Sequence, residues 1–275
     1  MMKQVTDEEL EDSVVRMCAP TLLGVKPANM FTFSGHFSDD EVQAPSANAF
    51  EDARVWCRAA GCEEPLSRAC ADGCAGSWSQ PRAADGEHGY VDQPCPCTIT
   101  EQRREELGLL VSGLDRELGP YGVRVRVIAW RAFGAIVLAY RPNLLVSHLR
   151  DARTAAVLES LGYPVLNSAL TAGMRETFLD ALLAHLARRF AAEKLPHEIG
   201  FFLGYPYEDV EGFVRHRGRK FRFCGCWKVY GDPRAAAKLF ARYRRCTRRC
   251  VRLRRSGSTA VDIVAGCRNR GRGGA

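Results

Sequence analysis

Apolar residues recur with the 3.6-residue period of an α-helix along much of the chain, and helix-terminal residues flank these stretches. The first stretch opens with Thr6 and Glu9, a capping box that satisfies free backbone N–H groups at a helix N-terminus. Pro20 ends this helix soon after Cys18. The same pattern predicts further helices over about 100–118, 143–150, 152–161, 168–192, 206–217 and 233–255.

A period of two residues indicates strands between these helices. Residues 123–127 alternate between Val and Arg, and residues 135–140 are apolar throughout, so we expect a hairpin with a central second strand. A short strand is expected near Phe31, and further strands near 199–203 and 220–230. The fold class that follows is α+β: a small sheet, mixed or antiparallel, covered by four or more helices.

Periodicity fails between about Ser34 and Thr98, where Pro, Gly, Ser and acidic residues separate six cysteines. This composition predicts a flexible, low-complexity, cysteine-containing insertion over 34–98. Residues 1–33 and 99–265 would then form a single α+β domain. The Gly- and Arg-rich residues 266–275 are expected to be a disordered basic tail.

The overall composition is that of a globular protein, with 46% hydrophobic and 26% charged residues among 275. No apolar run reaches the length needed to cross a bilayer, and the acidic N-terminus does not resemble a signal peptide. We therefore expect a cytoplasmic protein without membrane contact. Its twelve cysteines would be thiols or metal ligands, although the irregular spacing in the insertion argues against a zinc site.

Charge is distributed unevenly behind the net value of +7. Residues 1–100 contain 7 basic and 16 acidic side chains, whereas residues 232–275 contain 13 basic and 2 acidic ones. The wet face of the predicted helix 233–255 is entirely basic, so nucleic-acid binding is one hypothesis. Aromatic residues are not interleaved along that face, and the preference for Arg over Lys (33 to 6) favours compositional bias as the explanation.

His197 and Glu198 lie between the long predicted helix and a predicted strand, where side chains from several elements converge. A His beside a Glu could act as a general acid and base near neutral pH. The alternative is structural, with His197 capping the preceding helix and Glu198 paired with an arginine.

Two cysteines lie in the predicted strand 220–230. A period of two places Cys224 and Cys226 on one face with Arg222 and Lys228, whose positive charges would favour the thiolate form. The thiols could then react with an electrophile, and they are weak candidates for a soft metal. The alternative is that both are small residues on a half-buried face. The opposite face would carry Phe221, Phe223, Gly225, Trp227 and Val229.

Three segments resemble the signature blocks of an uncharacterised bacterial family, the domain of unknown function 3793. They are 18–31 (CAPTLLGVKPANMF), 196–213 (PHEIGFFLGYPYEDVEGF) and 224–232 (CGCWKVYGD). The resemblance covers about 14–33 and 99–265 and omits the predicted insertion. It implies a cytosolic bacterial protein without an established activity and suggests a flavodoxin-like redox protein as a partner. Cys226 stands where the family is expected to carry an aromatic residue, which weakens a two-thiol site.

The leading hypothesis is an accessory binding protein for a small anionic ligand, a cofactor or a redox partner. We expect the turn around Lys26 to fold against the bend at His197 and the strand of Trp227, forming one pocket. The residues expected to line this pocket are Lys26, Asn29, His197, Glu198, Tyr205, Trp227 and Lys228. The alternative is an enzyme that uses His197 and Glu198 as acid and base, or Cys224 as a thiolate nucleophile.

Overall fold

The computed structural model describes residues 7–33, 101–131, 134–164, 172–193 and 195–272. The helices are α1 (Asp7–Met17), α2 (Ala19–Leu22), α3 (Glu101–Leu118), α4 (Pro142–Leu149), α5 (Ala152–Ser160), α6 (Ala172–Ala192), α7 (Ile199–Phe202), α8 (Tyr207–His216), α9 (Pro233–Arg255) and α10 (Ala260–Arg272). The strands are β1 (Ala28–Phe33), β2 (Arg124–Arg131), β3 (Gly134–Tyr140), β4 (Phe223–Cys224) and β5 (Lys228–Val229).

The main sheet is antiparallel and has the order β1-β3-β2, so the apolar strand β3 is central, as predicted. Tyr140 pairs with Ala28 on one side and with Arg124 on the other. The register shifts between Val127 and Ala129, where β2 contains an irregularity. Every residue of β3 is buried, because helices cover both faces of the sheet. The predicted α+β class is confirmed.

Alternate residues of β3 enter two hydrophobic clusters, one on each face of the sheet. Ile136 and Leu138 belong to the cluster formed with α4, α6, α7 and α8. Val137 and Ala139 belong to the cluster formed with α1, α3 and α10. Helix α9 contributes to both, since Phe240 packs in the first cluster and Cys250 in the second. This long helix therefore connects the two halves of the core.

The prediction of a strand at 199–203 was wrong, because these residues form the single-turn helix α7. All four residues of α7 are buried. A short apolar run is compatible with either a buried strand or a buried helical turn, so its hydrophobicity did not decide between them. Gly200 fits this turn closely: a Cβ atom there would lie 2.8 Å from Val210 of the neighbouring helix.

The predicted continuous strand at 220–230 was also wrong. The chain reverses at Gly225 and Cys226, and the two-residue strands β4 and β5 pair only with each other. A Cβ atom on Gly225 would lie 2.2 Å from the ring of Phe240, so only glycine allows this approach to α9. Because of the reversal, a period of two does not apply across the segment. Phe221 and Phe223 are 42% and 37% exposed, whereas Trp227 and Val229 are buried.

The C-terminal segment differs from its prediction as well. Helix α10 extends to Arg272, so residues 266–272 are helical and not a disordered tail. Ile263 and Val264 bury the start of this helix in the core, and propagating a helix from a formed turn costs little. The predicted insertion at 34–98 lies outside the described residues. Within the described ranges, no helix combines the length and apolarity that crossing a bilayer requires.

Candidate functional site

The turn around Lys26 is held by hydrogen bonds from a half-buried arginine. Arg141 donates from Nε to the carbonyl oxygen of Thr21 at 2.6 Å and from a terminal nitrogen to that of Leu22. These carbonyls end α2, so the guanidinium caps a short helix. Burial lowers the pKa of Arg141. Pro27, which follows Lys26 in the turn, packs against Gly204. The φ of Gly204 is +75°, which is unfavourable for residues other than glycine.

Lys26 is buried, and its ammonium group lies among aromatic rings. The Nζ atom is 5.4 Å from the ring centroid of Tyr205 and 5.5 Å from that of Tyr243. Tyr205 in turn stacks on Trp227 with centroids 4.4 Å apart. The fold therefore brings together Lys26, Tyr205 and Trp227, three of the residues predicted for one pocket. They meet as packed core residues that are each no more than 5% exposed.

Asp209 organises the polar side of this cluster. Its Oδ2 atom accepts a hydrogen bond from Trp227 Nε1 at 2.7 Å. Its Oδ1 atom accepts from the backbone N–H groups of Tyr230 at 2.7 Å and Gly231 at 2.8 Å. The carboxylate is 3% exposed and so joins α8, β5 and the start of α9 from inside the protein.

Asp209 was not among the residues predicted for the site. A signal was present in the spacing, because Asp209 and Phe213 are four residues apart and therefore lie on the same face of α8. Phe213 is buried, which places the carboxylate on the buried side as well.

Asn29 is buried in β1 and has a structural partner. Thr21 donates its hydroxyl hydrogen to Asn29 Oδ1 at 2.8 Å. The two side chains connect α2 to the sheet beneath the Lys26 turn. Any contact of Asn29 with a ligand stays a prediction.

His197 and Glu198 are adjacent in a turn, but their side chains have different surroundings. Glu198 is buried and accepts hydrogen bonds at Oε1 from Arg189 Nε at 2.7 Å and from the Tyr163 hydroxyl at 3.1 Å. Burial, together with the charge of Glu198, raises the pKa of Tyr163. The structure thus contains the Glu–Arg pair considered as the alternative.

The His197 ring lies edge-on to Phe213 with centroids 5.2 Å apart. Its Nδ1 atom is buried and has no hydrogen-bond partner among the described residues. His197 therefore does not cap the preceding helix through Nδ1. The shared acid–base role of His197 and Glu198 stays a prediction.

The cysteines of the small hairpin are half-buried, and Cys224 pairs in register with Lys228. Lys228 is buried, with Nζ 5.3 Å from the ring centroid of Phe221 and 5.9 Å from that of Phe213. Within the described ranges, no three His, Cys, Asp or Glu side chains are arranged to hold a metal ion. The reactivity of Cys224 and the ligand role of Lys228 stay predictions.

The cysteines of α9 are structural. Cys246 and Cys250 lie one turn apart on the buried face of the helix. Burial raises the pKa of Cys250 to about 12, so this thiol is protonated and unreactive at neutral pH.

An open cleft of about 550 Å³ lies beside the Lys26 turn. Its lining residues are Gly24, Val25, Pro27, Leu144, Ser147, His148, Arg150 and Asp151. None of the residues predicted for the pocket lines this cleft.

The exposed side of α9 carries the largest concentration of charge in the described part of the chain. We call the following eight exposed residues the basic surface: Arg234, Lys238, Arg242, Arg244, Arg245, Arg248, Arg252 and Arg255. The helix contains no acidic residue. Among the residues that the structure describes, none of the eight forms an ion pair. The opposite side of α9 is buried, so the fold fixes where these cations lie.

These features define the class as an α+β protein with a three-stranded antiparallel sheet between helical layers and a cationic long helix. The sequence profile described as "Protein of unknown function (DUF3793)" matches residues 93–264, more than half of the chain. The chain therefore belongs to the family of domain of unknown function 3793. The matched range includes the segments 196–213 and 224–232, and the segment 18–31 lies outside it. No curated protein and no solved structure matches the chain.

Proposed function

We propose that this protein is an accessory binding protein whose partner is an extended polyanion that binds to the basic surface of α9. The observation that carries the proposal is the row of eight exposed cations, without any carboxylate in the same helix. Cations that are not neutralised within the protein are available to a partner of opposite charge.

Compositional bias toward arginine does not by itself predict eight cations on one face of one helix. Several arginines elsewhere in the described chain are paired with carboxylates: Arg124 with Asp115 at 2.8 Å and Arg126 with Asp180 at 2.6 Å, for example. Exposed arginines such as Arg116 and Arg150 also lie outside α9, but they are separated along the chain. On α9 the cations share one helix without a carboxylate, although like charges at a spacing of four residues repel each other.

The dimensions favour a long partner over a small anion. Helix α9 has 23 residues and is therefore about 35 Å long. Lys238, Arg245 and Arg252 follow at seven-residue intervals, and two turns of helix separate neighbouring members by about 10 Å. A row of this length can contact several negative charges of one chain at the same time, whereas a single small anion would use only one or two cations.

The test compares two triple variants that remove the same charge. Lys238→Gln/Arg245→Gln/Arg252→Gln removes three cations from the basic surface, and Arg116→Gln/Arg150→Gln/Arg188→Gln removes three exposed cations from other positions. Each protein is eluted from immobilised heparin by a salt gradient. We expect the first variant to elute at clearly lower salt than the native protein, because fewer counterions are released on binding. The proposal fails if both triple variants elute together or if the native protein does not bind heparin.

A further inference from the structure

The loop that connects α8 to β4 carries both cations and aromatic rings on its surface. We call residues 217–223 the basic loop. Six of its seven residues are exposed, and the exception is Gly218. The exposed residues are Arg217, Arg219, Lys220, Phe221, Arg222 and Phe223.

The backbone of the basic loop has a defined and strained shape. Arg217 and Lys220 have φ values of 49° and 57°, a left-handed conformation that is unfavourable for residues with a Cβ atom. Hydrogen bonds hold this shape: Gly218 N donates to Phe213 O at 2.9 Å, and Arg222 N donates to Val229 O at 2.8 Å. Strain that the surrounding structure enforces is frequent in binding loops.

The two phenylalanines of the loop remain in contact with solvent. Phe223 stacks on Phe240 of α9 with centroids 5.9 Å apart, and it is still 37% exposed. Phe221 is 42% exposed. Removing apolar surface from water is favourable. Two exposed rings within three residues are therefore available to a partner that covers them.

Phe223 also connects the basic loop to the basic surface. Its neighbour Phe240 is followed four residues later by exposed Arg244, and residues at this spacing lie on the same side of a helix. The ring of Phe223 therefore lies beside the cationic row. Helix α9 itself lacks interleaved aromatic residues, and the basic loop supplies exposed rings from another element.

We infer that the polyanion is a single-stranded nucleic acid, with phosphates along the basic surface and bases stacked on Phe221 and Phe223. This inference rests on the proposed function and gives it a chemical class. Proteins that bind single strands combine a basic track for the backbone with aromatic rings on which bases stack.

Other polyanions use only part of this surface. A duplex hides the faces of its bases, and an acidic protein supplies charge without flat rings to stack. Insertion of α9 into a membrane interface would require its apolar face, and that face is buried in the core.

The test uses Phe221, because its ring is 42% exposed and does not stack on α9. Binding of a labelled oligothymidylate of about 20 nucleotides is followed by fluorescence anisotropy for the native protein and Phe221→Ala. We expect a loss of affinity of roughly 5- to 150-fold, since stacking contributes about 1–3 kcal/mol per base. The salt dependence of binding should not change, because no cation is removed. Phe221→Trp should restore binding, and Leu109→Ala, at another exposed apolar residue, should have no effect.

Competition experiments separate the inference from the proposed function. A duplex of the same length, poly-glutamate and vesicles with anionic lipids should each compete more weakly than the single strand. The inference is overturned if Phe221→Ala binds the single strand like the native protein, or if any of these competitors displaces it equally well. In that case, the proposed function would still be supported if the native protein binds heparin and the α9 triple variant binds it more weakly. If the native protein does not bind heparin either, the inference and the proposed function both fail.

Discussion

Replacing Asp209 by asparagine tests whether its buried carboxylate joins α8 to the hairpin and α9. The change keeps the shape of the side chain but replaces one oxygen by an NH₂ group. If the remaining oxygen still accepts from Tyr230 N and Gly231 N, the amide nitrogen faces Trp227 Nε1–H, and two donors oppose each other. If the amide turns over, the two backbone N–H groups lose their acceptor.

The expected loss of stability follows from these contacts. A hydrogen bond to a charged group contributes about 1.5–3 kcal/mol, and a buried donor without a partner costs about 1–3 kcal/mol. We therefore expect Asp209→Asn to lower the free energy of unfolding by about 3 kcal/mol. Asp180→Asn is the matched control, because Asp180 is 56% exposed in its ion pair and exposed pairs contribute at most about 1 kcal/mol.

A double-mutant cycle identifies the contact responsible. Trp227→Phe removes the indole donor, so Asp209→Asn in that background no longer creates opposed donors. We expect the second substitution to cost at least about 1 kcal/mol less there than in the native protein. Urea denaturation followed by far-UV circular dichroism measures all four proteins. The reasoning is refuted if Asp209→Asn costs less than about 1 kcal/mol, or if the two substitutions add within about 0.5 kcal/mol.

Three further predictions concern packing, pH and thiol reactivity. Gly225→Ala should destabilise the protein by about 2 kcal/mol or more, because the new Cβ would overlap the Phe240 ring. Gly113→Ala should be neutral or stabilising, because Gly113 lies in a helix with open space around its Cβ position. Urea denaturation measures the free energy of unfolding of both variants. Burial lowers the pKa of His148 from 6.5, so the unfolded chain takes up this proton at a higher pH than the folded one. Stability should therefore fall as pH decreases below about 6.5, and His148→Gln should remove that part of the pH dependence of the urea midpoint. Cys250 should react with iodoacetamide only after unfolding, which peptide mass spectrometry detects; labelling in the native protein would contradict its burial.

The parts of the fold that sequence reasoning predicted are those in which one period extends over many residues. Helix α9 was predicted as 233–255 and found as Pro233–Arg255, because its cations and apolar residues separate cleanly into two faces. The β2–β3 hairpin was predicted for a similar reason. The segments 199–203 and 220–230 were predicted wrongly because each changes direction within a few residues. Periodicity over so short a distance cannot show a turn.

The candidate site shows a second limit of prediction from sequence, which concerns the burial of individual side chains. The meeting of Lys26 with Tyr205 and Trp227 agrees with the expected folding of the N-terminal turn onto the later segments. That an ammonium group would be buried among rings was not predictable from residue type, since lysines are rarely buried. Likewise, the period of two placed Phe221 and Phe223 on the same strand face as Trp227 and Val229, but only the latter two are buried. The exposure of Phe221 and Phe223 depends on which residues pack against them, and the turn at Gly225 determines this.

These observations give the segment 224–232 a different meaning from the one its residue types suggest. Cysteine, lysine and tryptophan in close succession resemble a reactive site, yet Trp227 and Gly225 each make contacts that fix the hairpin against α9. The hairpin in turn holds Phe223 over Phe240 and sets the path of the basic loop. A buried network that orders an exposed surface is what a rigid binding site requires, because a preorganised loop loses less conformational entropy when its partner binds. The residues that resemble chemistry in the sequence therefore support the proposed binding surface, and its contacts come from the exposed face of α9 and from the exposed rings of the basic loop.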